Sequence, residues 1–148
     1  MTVTEALRLR EGKKLVFTNG VFDIVHAGHV QYLQFARSQG EILIVGMNTD
    51  ASVRTLGKGP NRPVNPLEDR LTVLEALRAV DGVVPFDEPT PEVLIGILRP
   101  EIHVKGGDYK IEDMVEAKLV ASYGGQVVLA PLLEGRSSTK VFRRIGLE

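Results

Sequence analysis

The sequence predicts one α/β domain in which a five-stranded parallel sheet is covered by helices on both faces, a Rossmann-like arrangement. Strand-like and helix-like segments alternate about five times along the 148 residues, the pattern that crossover connections of a parallel sheet produce. Residues 41–46 are almost wholly apolar, as expected for a strand buried on both faces. The chain has the length of one ordinary domain and shows no internal repeat or linker, so residues 1–148 are assigned to a single domain.

Each element follows from an apolar run or a helical period. Strands are predicted at 14–18, 41–46, 83–86, 102–105 and 126–129, where short apolar runs lie between turn residues. Helices are predicted at 28–39, 66–80, 91–98, 111–123 and 138–145. The helix 66–80 carries leucines at helical spacing, and Thr90 is the expected N-cap of the helix that starts at Pro91. In such a sheet the ligand lies past the carboxyl ends of the strands.

Composition disfavours several classes of function. The 148 residues contain no cysteine, which excludes disulfides and a thiolate nucleophile or metal ligand. A net charge of −1 argues against broad nucleic-acid binding. No segment approaches the ~20 apolar residues of a membrane span, and the first residues lack the pattern of a signal peptide. We therefore expect a cytoplasmic protein without nucleic-acid or membrane partners.

Polar and glycine residues cluster where the predicted strands end. They occur within residues 18–29, 48–50, 105–109 and 133–139, after the first, second, fourth and fifth strands. Residues 55–65 are rich in glycine and proline and carry Lys58 and Arg62, which predicts a mobile basic loop. The unusual residues of the chain therefore fall at the edge of the sheet where a ligand is expected.

The sharpest feature is a pair of histidines at the boundary between the first strand and the next helix. His26 and His29 are three residues apart, so they share one face of the first helical turn. The free amides and the dipole of a helix start favour an anion, and Gly20 and Gly28 allow close approach of the backbone. This arrangement predicts a site for the reacting phosphate of a nucleotide. In the structural alternative, His26 caps the helix and His29 packs on the sheet.

A zinc site is a weaker interpretation of the same residues. It needs a third ligand, and His103, the remaining histidine, lies in the middle of a predicted strand. We interpret His103 as structural and predict no metal-ligating residue.

The segment 20–29, GVFDIVHAGH, resembles the signature of the HxGH cytidylyltransferase-like nucleotidyltransferases. Residues 137–139, SST, fall where that superfamily has its second signature, a Ser/Thr-rich helix start. Within the superfamily the chain is most similar to heptose 1-phosphate adenylyltransferase, which also forms one half of a bifunctional ADP-heptose synthesis enzyme. The residues that carry this similarity are 62–70, 84–88, 104–109 and 134–139. The resemblance implies that residues 1–148 are a nucleotidyltransferase domain.

Glycerol-3-phosphate cytidylyltransferase is the next most similar family. It shares the first motif and a Gly-Asp-aromatic segment with this chain. That family has Arg-Thr-Glu-Gly where this chain has Leu-Leu-Glu-Gly at 132–135, and it tends to have Asp where Gly107 stands. These departures favour ATP over CTP as the nucleotide, and both stay open. A third hypothesis, from another class, is a nucleotide-binding module without turnover.

The implied reaction is an in-line displacement in which a phosphate oxygen of the acceptor attacks the α-phosphorus and pyrophosphate leaves. The acceptor is already anionic, so the reaction rests on positioning and charge stabilisation rather than on a general base. The predicted catalytic residues are His26, His29 and Lys58. The predicted nucleotide-binding residues are Thr18, Asn19, Gly20, Val21, Phe22, Asp23, Gly28, Lys105, Gly106, Asp108, Arg136, Ser137, Ser138 and Thr139. The predicted substrate-binding residues are Asn48, Asp50, Arg62 and Arg70.

Several of these residues have structural alternatives. Lys58 and Arg62 are equally explained as solvated surface charges, and Asp23 as a structural residue. The hydroxyls at 138–139 serve equally as N-caps, as do Asn48 and Asp50 for the helix that would follow them. Arg70 is alternatively paired with an acid such as Glu68.

The resemblance also implies cofactors and partners. Mg²⁺ is expected to bind through the nucleotide phosphates, since magnesium usually keeps several waters and takes substrate oxygens. The partners are then ATP or CTP and a small sugar or polyol phosphate. The resemblance further implies a homodimer.

Overall fold

The computed structural model describes residues 1–107, 110–131 and 138–146, with the backbone alone described for residues 138 and 139. Its strands are β1 Leu15–Gly20, β2 Ile42–Asn48, β3 Gly82–Phe86, β4 Ile102–Gly106 and β5 Gln126–Ala130. All pairings are parallel, and the sheet order is β3-β2-β1-β4-β5. The predicted five-stranded parallel sheet is confirmed.

The helices cover both faces of this sheet, as predicted. They are α1 Val3–Arg10, α2 Ala27–Ser38, α3 Asp50–Thr55, α4 Leu67–Glu75, α5 Glu92–Leu98, α6 Val115–Ser122 and α7 Ser138–Arg144, with a 3₁₀ turn at Ile111–Asp113. Neighbouring strand residues point to opposite faces. Val16 therefore packs with α2 and α4, whereas Phe17 packs with α1, α5 and α6. Within the described residues, no helix combines the length and the apolar character needed to cross a membrane.

Strand order sets the position of the ligand crevice. The chain runs from β1 outward through β2 to β3, and then returns to the other side of β1 to form β4. The order therefore reverses between β1 and β4, and ligands of such sheets bind beyond the carboxyl ends of the strands at that point. Gly20 ends β1 and Gly106 ends β4, so both lie at this crevice.

Helix boundaries differ from the prediction in three places. The helix predicted at 66–80 ends at Glu75, because the chain continues in short turns closed by i→i+3 hydrogen bonds. The helix predicted at 111–123 is interrupted at Met114, whose extended backbone buries its side chain. The N-cap prediction for Thr90 is wrong, because α5 begins at Glu92 and the Thr90 hydroxyl donates to the Glu92 carboxylate at 2.8 Å.

Candidate active site

The two histidines cap α2 reciprocally. His26 is the N-cap, and its Nδ1 accepts the Gly28 N–H at 3.0 Å. His29, at the third helical position, accepts the His26 backbone N–H on its own Nδ1 at 3.2 Å. The ring centroids lie 4.0 Å apart. This is a capping box built from imidazoles rather than from a hydroxyl and a carboxylate.

The capping box modifies the predicted anion site. We expected free amides at the start of α2, but the amides of His26 and Gly28 are bonded to the two rings. A nitrogen that accepts a hydrogen bond carries no proton, so the proton of each neutral ring resides on Nε2. The backbone thereby fixes which imidazole nitrogen is available as a donor.

His29 is neutral at physiological pH. Burial, and next the proximity of His26, lower the pKa of His29 to about 4. A ring that stays neutral and has Nδ1 occupied presents one Nε2–H donor. Such a donor can stabilise a phosphate oxygen by hydrogen bonding, whereas net positive charge must come from other side chains.

A cavity of about 290 Å³ opens between the ends of β1 and β4 and the first turn of α2. Its lining residues are Asn19, Gly20, Val21, Phe22, His29, Tyr32, Lys105 and Gly106. All of them except Tyr32 are predicted site residues, so the structure brings together segments that are up to 87 positions apart, from Asn19 to Gly106. A larger concavity of about 750 Å³ lies at the opposite end of the sheet and contains none of the predicted residues.

The turn after β1 shapes one wall of this cavity. Phe22 has φ 50°, a left-handed conformation that a non-glycine residue adopts at a cost. Its ring folds back beneath Gly20, where an added Cβ would lie 3.0 Å from the ring. The centroids of the Phe22 and His29 rings are 5.4 Å apart. Close packing at Gly20 therefore leaves little room for a side chain, and Phe22 supports the histidine.

Tyr32 forms the floor of the cavity and was not among the predicted site residues. Its hydroxyl lies 2.5 Å from the Thr18 hydroxyl and donates to the Val104 carbonyl at 2.9 Å. Its ring packs under Gly106, where an added Cβ would lie 3.3 Å away. Thr18 is fully buried and its hydroxyl also donates to Val104, so in this structure its side chain serves the fold. The spacing of apolar residues along α2 did not indicate that Tyr32 lies at the cavity.

Asp23 connects the histidine segment to the predicted basic loop. Its two carboxylate oxygens accept the backbone N–H groups of Val64 and Asn65, each at 2.8 Å, and the Asn65 amide donates to the Asp23 carbonyl. The side chain is buried. These contacts support the structural alternative for Asp23.

Arg70 is a buried junction rather than a surface cation. Its guanidinium donates to the carbonyls of Asn65, Val21 and Asn48 and pairs with the Asp50 carboxylate at 2.6 Å. Only 1% of the residue is exposed. Arg70 thus pairs with an acid, as the structural alternative predicted, but the acid is Asp50 rather than Glu68. One side chain thus joins the ends of β1 and β2 to the start of α4.

Asn48 and Asp50 flank the start of α3. The Asn48 amide donates to the Ser52 hydroxyl at 2.9 Å, and the N-cap of α3 is Thr49. Neither predicted residue is the cap itself. Asp50 keeps about a third of its side chain exposed while it binds Arg70.

The two predicted cations of the segment 55–65 have different environments. Arg62 is 7% exposed, and its guanidinium lies over the Phe142 ring of α7 at 3.8 Å, in cation–π geometry. The alternative of a solvated charge is therefore wrong for Arg62. Lys58 is exposed, with no hydrogen bond or ion pair to any described residue. Phe142 is a partner that the sequence did not reveal.

The C-terminal signature is only partly visible. Asp108, Arg136 and Ser137 lie outside the described residues. Helix α7 begins at residue 138, so Ser138 and Thr139 stand at a helix start, as predicted. Across the described residues, no group of three or more His, Asp or Glu side chains is arranged to hold a metal ion.

A parallel sheet covered by helices on both faces, with a glycine-bounded cavity lined by His29 at its switch point, defines a Rossmann-like α/β domain. The chain belongs to the cytidylyltransferase-like family, whose model matches residues 17–144. It is a nucleotidyltransferase, and the predicted membership of this superfamily is confirmed.

Curated relatives match this chain over more than nine-tenths of its length. The bifunctional protein HldE of Alcanivorax borkumensis is 52% identical over 135 residues, which is 91% of this chain and 28% of that protein. Its namesake in Streptomyces coelicolor is 56% identical over 140 residues, 94% of this chain and 30% of that protein. The chain thus spans less than a third of the length of these relatives.

A solved structure has the same fold. The lipopolysaccharide core biosynthesis protein of Thermoplasma volcanium superposes with a TM-score of 0.72 at 26% identity. The match covers 83% of this chain and all of that one.

Proposed function

We propose that the chain transfers AMP from ATP to the phosphate of a sugar phosphate such as heptose 1-phosphate, releasing pyrophosphate. The observation that carries the proposal is the neutral His29, whose Nδ1 is engaged and whose ring lines the cavity at the switch point. Identity of 52–56% to proteins named HldE, together with the resemblance to heptose 1-phosphate adenylyltransferase, supports the choice of nucleotide and acceptor.

The reaction needs no base from the protein. An acceptor phosphate oxygen forms a bond to the α-phosphorus while the bond to the bridging oxygen of pyrophosphate breaks. His29 and His26 donate their Nε2–H groups to the phosphate oxygens on which charge increases. Fixed donors of this kind stabilise the transition state more than the ground state.

The remaining nucleotide contacts come from the cavity wall and the neighbouring segments. Residues 19–22 and 105–106 line the cavity, and Gly28 follows the histidine cap. We assign Asp108, Arg136 and the 137–139 segment to the nucleotide because in the sequence they follow β4 and β5, whose carboxyl ends lie at the same edge of the sheet. Thr18 and Asp23 support this wall through their hydrogen bonds to the fold.

The acceptor side is assigned to the segment before α4. Lys58 is exposed and is assigned to the phosphates, whereas Arg62 is held against Phe142. Arg70, Asp50 and Asn48 shape this side by fixing the ends of β1 and β2 relative to α4.

Mg²⁺ is proposed to bind through the triphosphate. The described residues that line the cavity include no carboxylate, so they offer hydrogen-bond donors and one ammonium rather than a metal cage. When bound, the ion neutralises phosphate charge. We also propose a homodimer in the cytoplasm, on the basis of the family resemblance, to be measured by light scattering and by cell fractionation.

The second candidate is cytidylyl transfer to glycerol 3-phosphate. The observation that favours it is the match of residues 17–144 to the cytidylyltransferase-like model. Leucines in place of Arg-Thr before Glu134, and glycine at 107, argue for the adenylyl reaction.

The deciding experiment measures pyrophosphate release by the purified chain with ATP or CTP and a panel of sugar and polyol phosphates. We expect release with ATP and heptose 1-phosphate. Release with CTP and glycerol 3-phosphate, and none with ATP, would establish the second candidate instead. Tight nucleotide binding without release from any pair would point to a non-catalytic binding module.

A further inference from the structure

Lys105 is the cation that lines the described cavity, and its partner lies outside it. The Lys105 Nζ is 3.5 Å from a carboxylate oxygen of Glu116, and the side chains are 21% and 16% exposed. Lys105 ends β4 beside the cavity, whereas Glu116 belongs to the first turn of α6. A pair this far withdrawn from water interacts more strongly than an ordinary surface pair.

Glu116 is ionised in this setting. Burial opposes its charge, but its own backbone N–H at the helix start and the Lys105 ammonium outweigh burial and lower the pKa of the carboxyl. The carboxylate is therefore available as a fixed negative partner for Lys105.

The histidine beside this pair adds no charge. His103 lies two residues before Lys105 on the same face of β4, is fully buried, and stacks on Phe17 at 5.5 Å. Burial, and next the Lys105 charge, lower the pKa of His103 to about 4, although Glu116 opposes this shift. A neutral His103 does not compete with Lys105 for the Glu116 carboxylate.

We propose that Glu116 is a positioning residue that holds the Lys105 ammonium at the cavity wall for contact with the phosphates of the bound nucleotide, an inference that rests on the proposed function. A lysine has a flexible stem and loses rotamer entropy when it is fixed. An ion pair formed before the ligand arrives removes part of that loss from the binding step. Glu116 acts through Lys105 and touches no substrate.

The alternative is that the pair merely fastens α6 to the sheet. The two roles separate in a double-mutant cycle on nucleotide binding. We would measure Kd for the non-hydrolysable α,β-methylene analogue of ATP by calorimetry, for the wild type, Glu116→Gln, Lys105→Met and the double variant. Glutamine keeps the shape of Glu116 and removes only its charge.

We expect Glu116→Gln to weaken analogue binding about fivefold and Lys105→Met about tenfold, with the double variant no weaker than Lys105→Met. Glu116→Asp, which keeps the charge on a shorter stem, should give an intermediate loss. This second variant also tests the idea should Glu116→Gln fold poorly.

The matched control is a second ion pair, at the other end of the sheet. Arg37 Nε lies 2.9 Å from Asp81, which also accepts the Leu43 N–H. Asp81→Asn should lower the melting temperature and leave the Kd of the analogue unchanged.

Two results would overturn the assignment of Glu116. One is a fivefold loss from Glu116→Gln that persists in the Lys105→Met background, which marks a general structural role. The other is unchanged or tighter binding by Glu116→Gln, which shows that the carboxylate does not prepare Lys105 for phosphate. Failure of the proposed function is a separate result, since it is read from wild-type pyrophosphate release and not from binding.

Discussion

The two ring nitrogens of His29 have separate roles, and two substitutions distinguish these roles. Nδ1 accepts the His26 backbone N–H at 3.2 Å and so belongs to the fold. Nε2 carries the donor proton and belongs to the proposed chemistry. In His29→Asn the amide oxygen takes the place of Nδ1 and nothing replaces Nε2–H. In His29→Gln the amide group takes the place of Nε2–H and no acceptor remains near Nδ1.

The expected magnitudes differ for the two variants. Loss of one well-placed donor costs roughly 2.7–4 kcal/mol in the transition state, so His29→Asn should lower kcat by about 10²–10³-fold. Since its cap survives, its free energy of unfolding should fall less than that of His29→Gln, in which loss of the cap costs about 0.5–2 kcal/mol. His29→Gln should keep kcat within about tenfold of the wild type. Both variants lose the ring contact with Phe22, so this loss cancels when the two are compared.

The assay combines pyrophosphate release under saturating substrates with urea unfolding at pH 7.5. Near-normal kcat for His29→Asn would refute the role given to the Nε2–H donor. Equal loss of kcat in both variants, accompanied by equal loss of stability, would show that the ring matters only for holding the start of α2.

Two further predictions concern buried groups outside the histidine pair. His103 is neutral when folded and more readily protonated when unfolded, so its contribution to the free energy of unfolding falls as pH drops from about 6.5 towards about 4. Between pH 7.5 and 5 this difference amounts to about 2 kcal/mol, and His103→Met should flatten the measured pH dependence by that amount; an unchanged slope would contradict a lowered pKa. Arg70→Met should destabilise the chain by about 3–5 kcal/mol in urea unfolding because it leaves Asp50 and three carbonyls without their donor. Asp50→Asn, the control, should cost much less, since Asp50 is partly exposed, and similar costs for both would refute the view of Arg70 as the junction.

Apolar runs in the sequence predicted the strands and most of the helices. The features that they did not predict are short segments of a few residues. The bounds of helix α3 could not be predicted because its six residues, Asp50–Thr55, are too few to show a helical period. The break at Met114 arises because the burial of one side chain outweighs helical propensity there. Sequence patterns describe periodicity over ten or more residues, and neither feature extends that far.

Sequence motifs predicted the residues that line the cavity better than the side chains that hold the charged residues in place. His29 and Lys105 were predictable because their types and positions suit phosphate chemistry. The partners Asp50 for Arg70, Phe142 for Arg62 and Glu116 for Lys105 were not. These pairs are separated by 11 to 80 positions, from Lys105–Glu116 to Arg62–Phe142, and only the packing of α4, α6 and α7 brings them together.

The capping box changes the physical account of how the helix start meets an anion. A phosphate at a bare helix N-terminus bonds directly to backbone amides. Here the His26 and Gly28 amides donate to imidazole Nδ1 atoms, so the donor protons reside on the Nε2 atoms, and the ring of His29 lines the cavity. Hydrogen bonds in such chains polarise one another, so each amide strengthens the donor at the far side of its ring. In the proposed reaction the helix start would meet the phosphate through the His29 side chain, which the backbone holds beside the cavity.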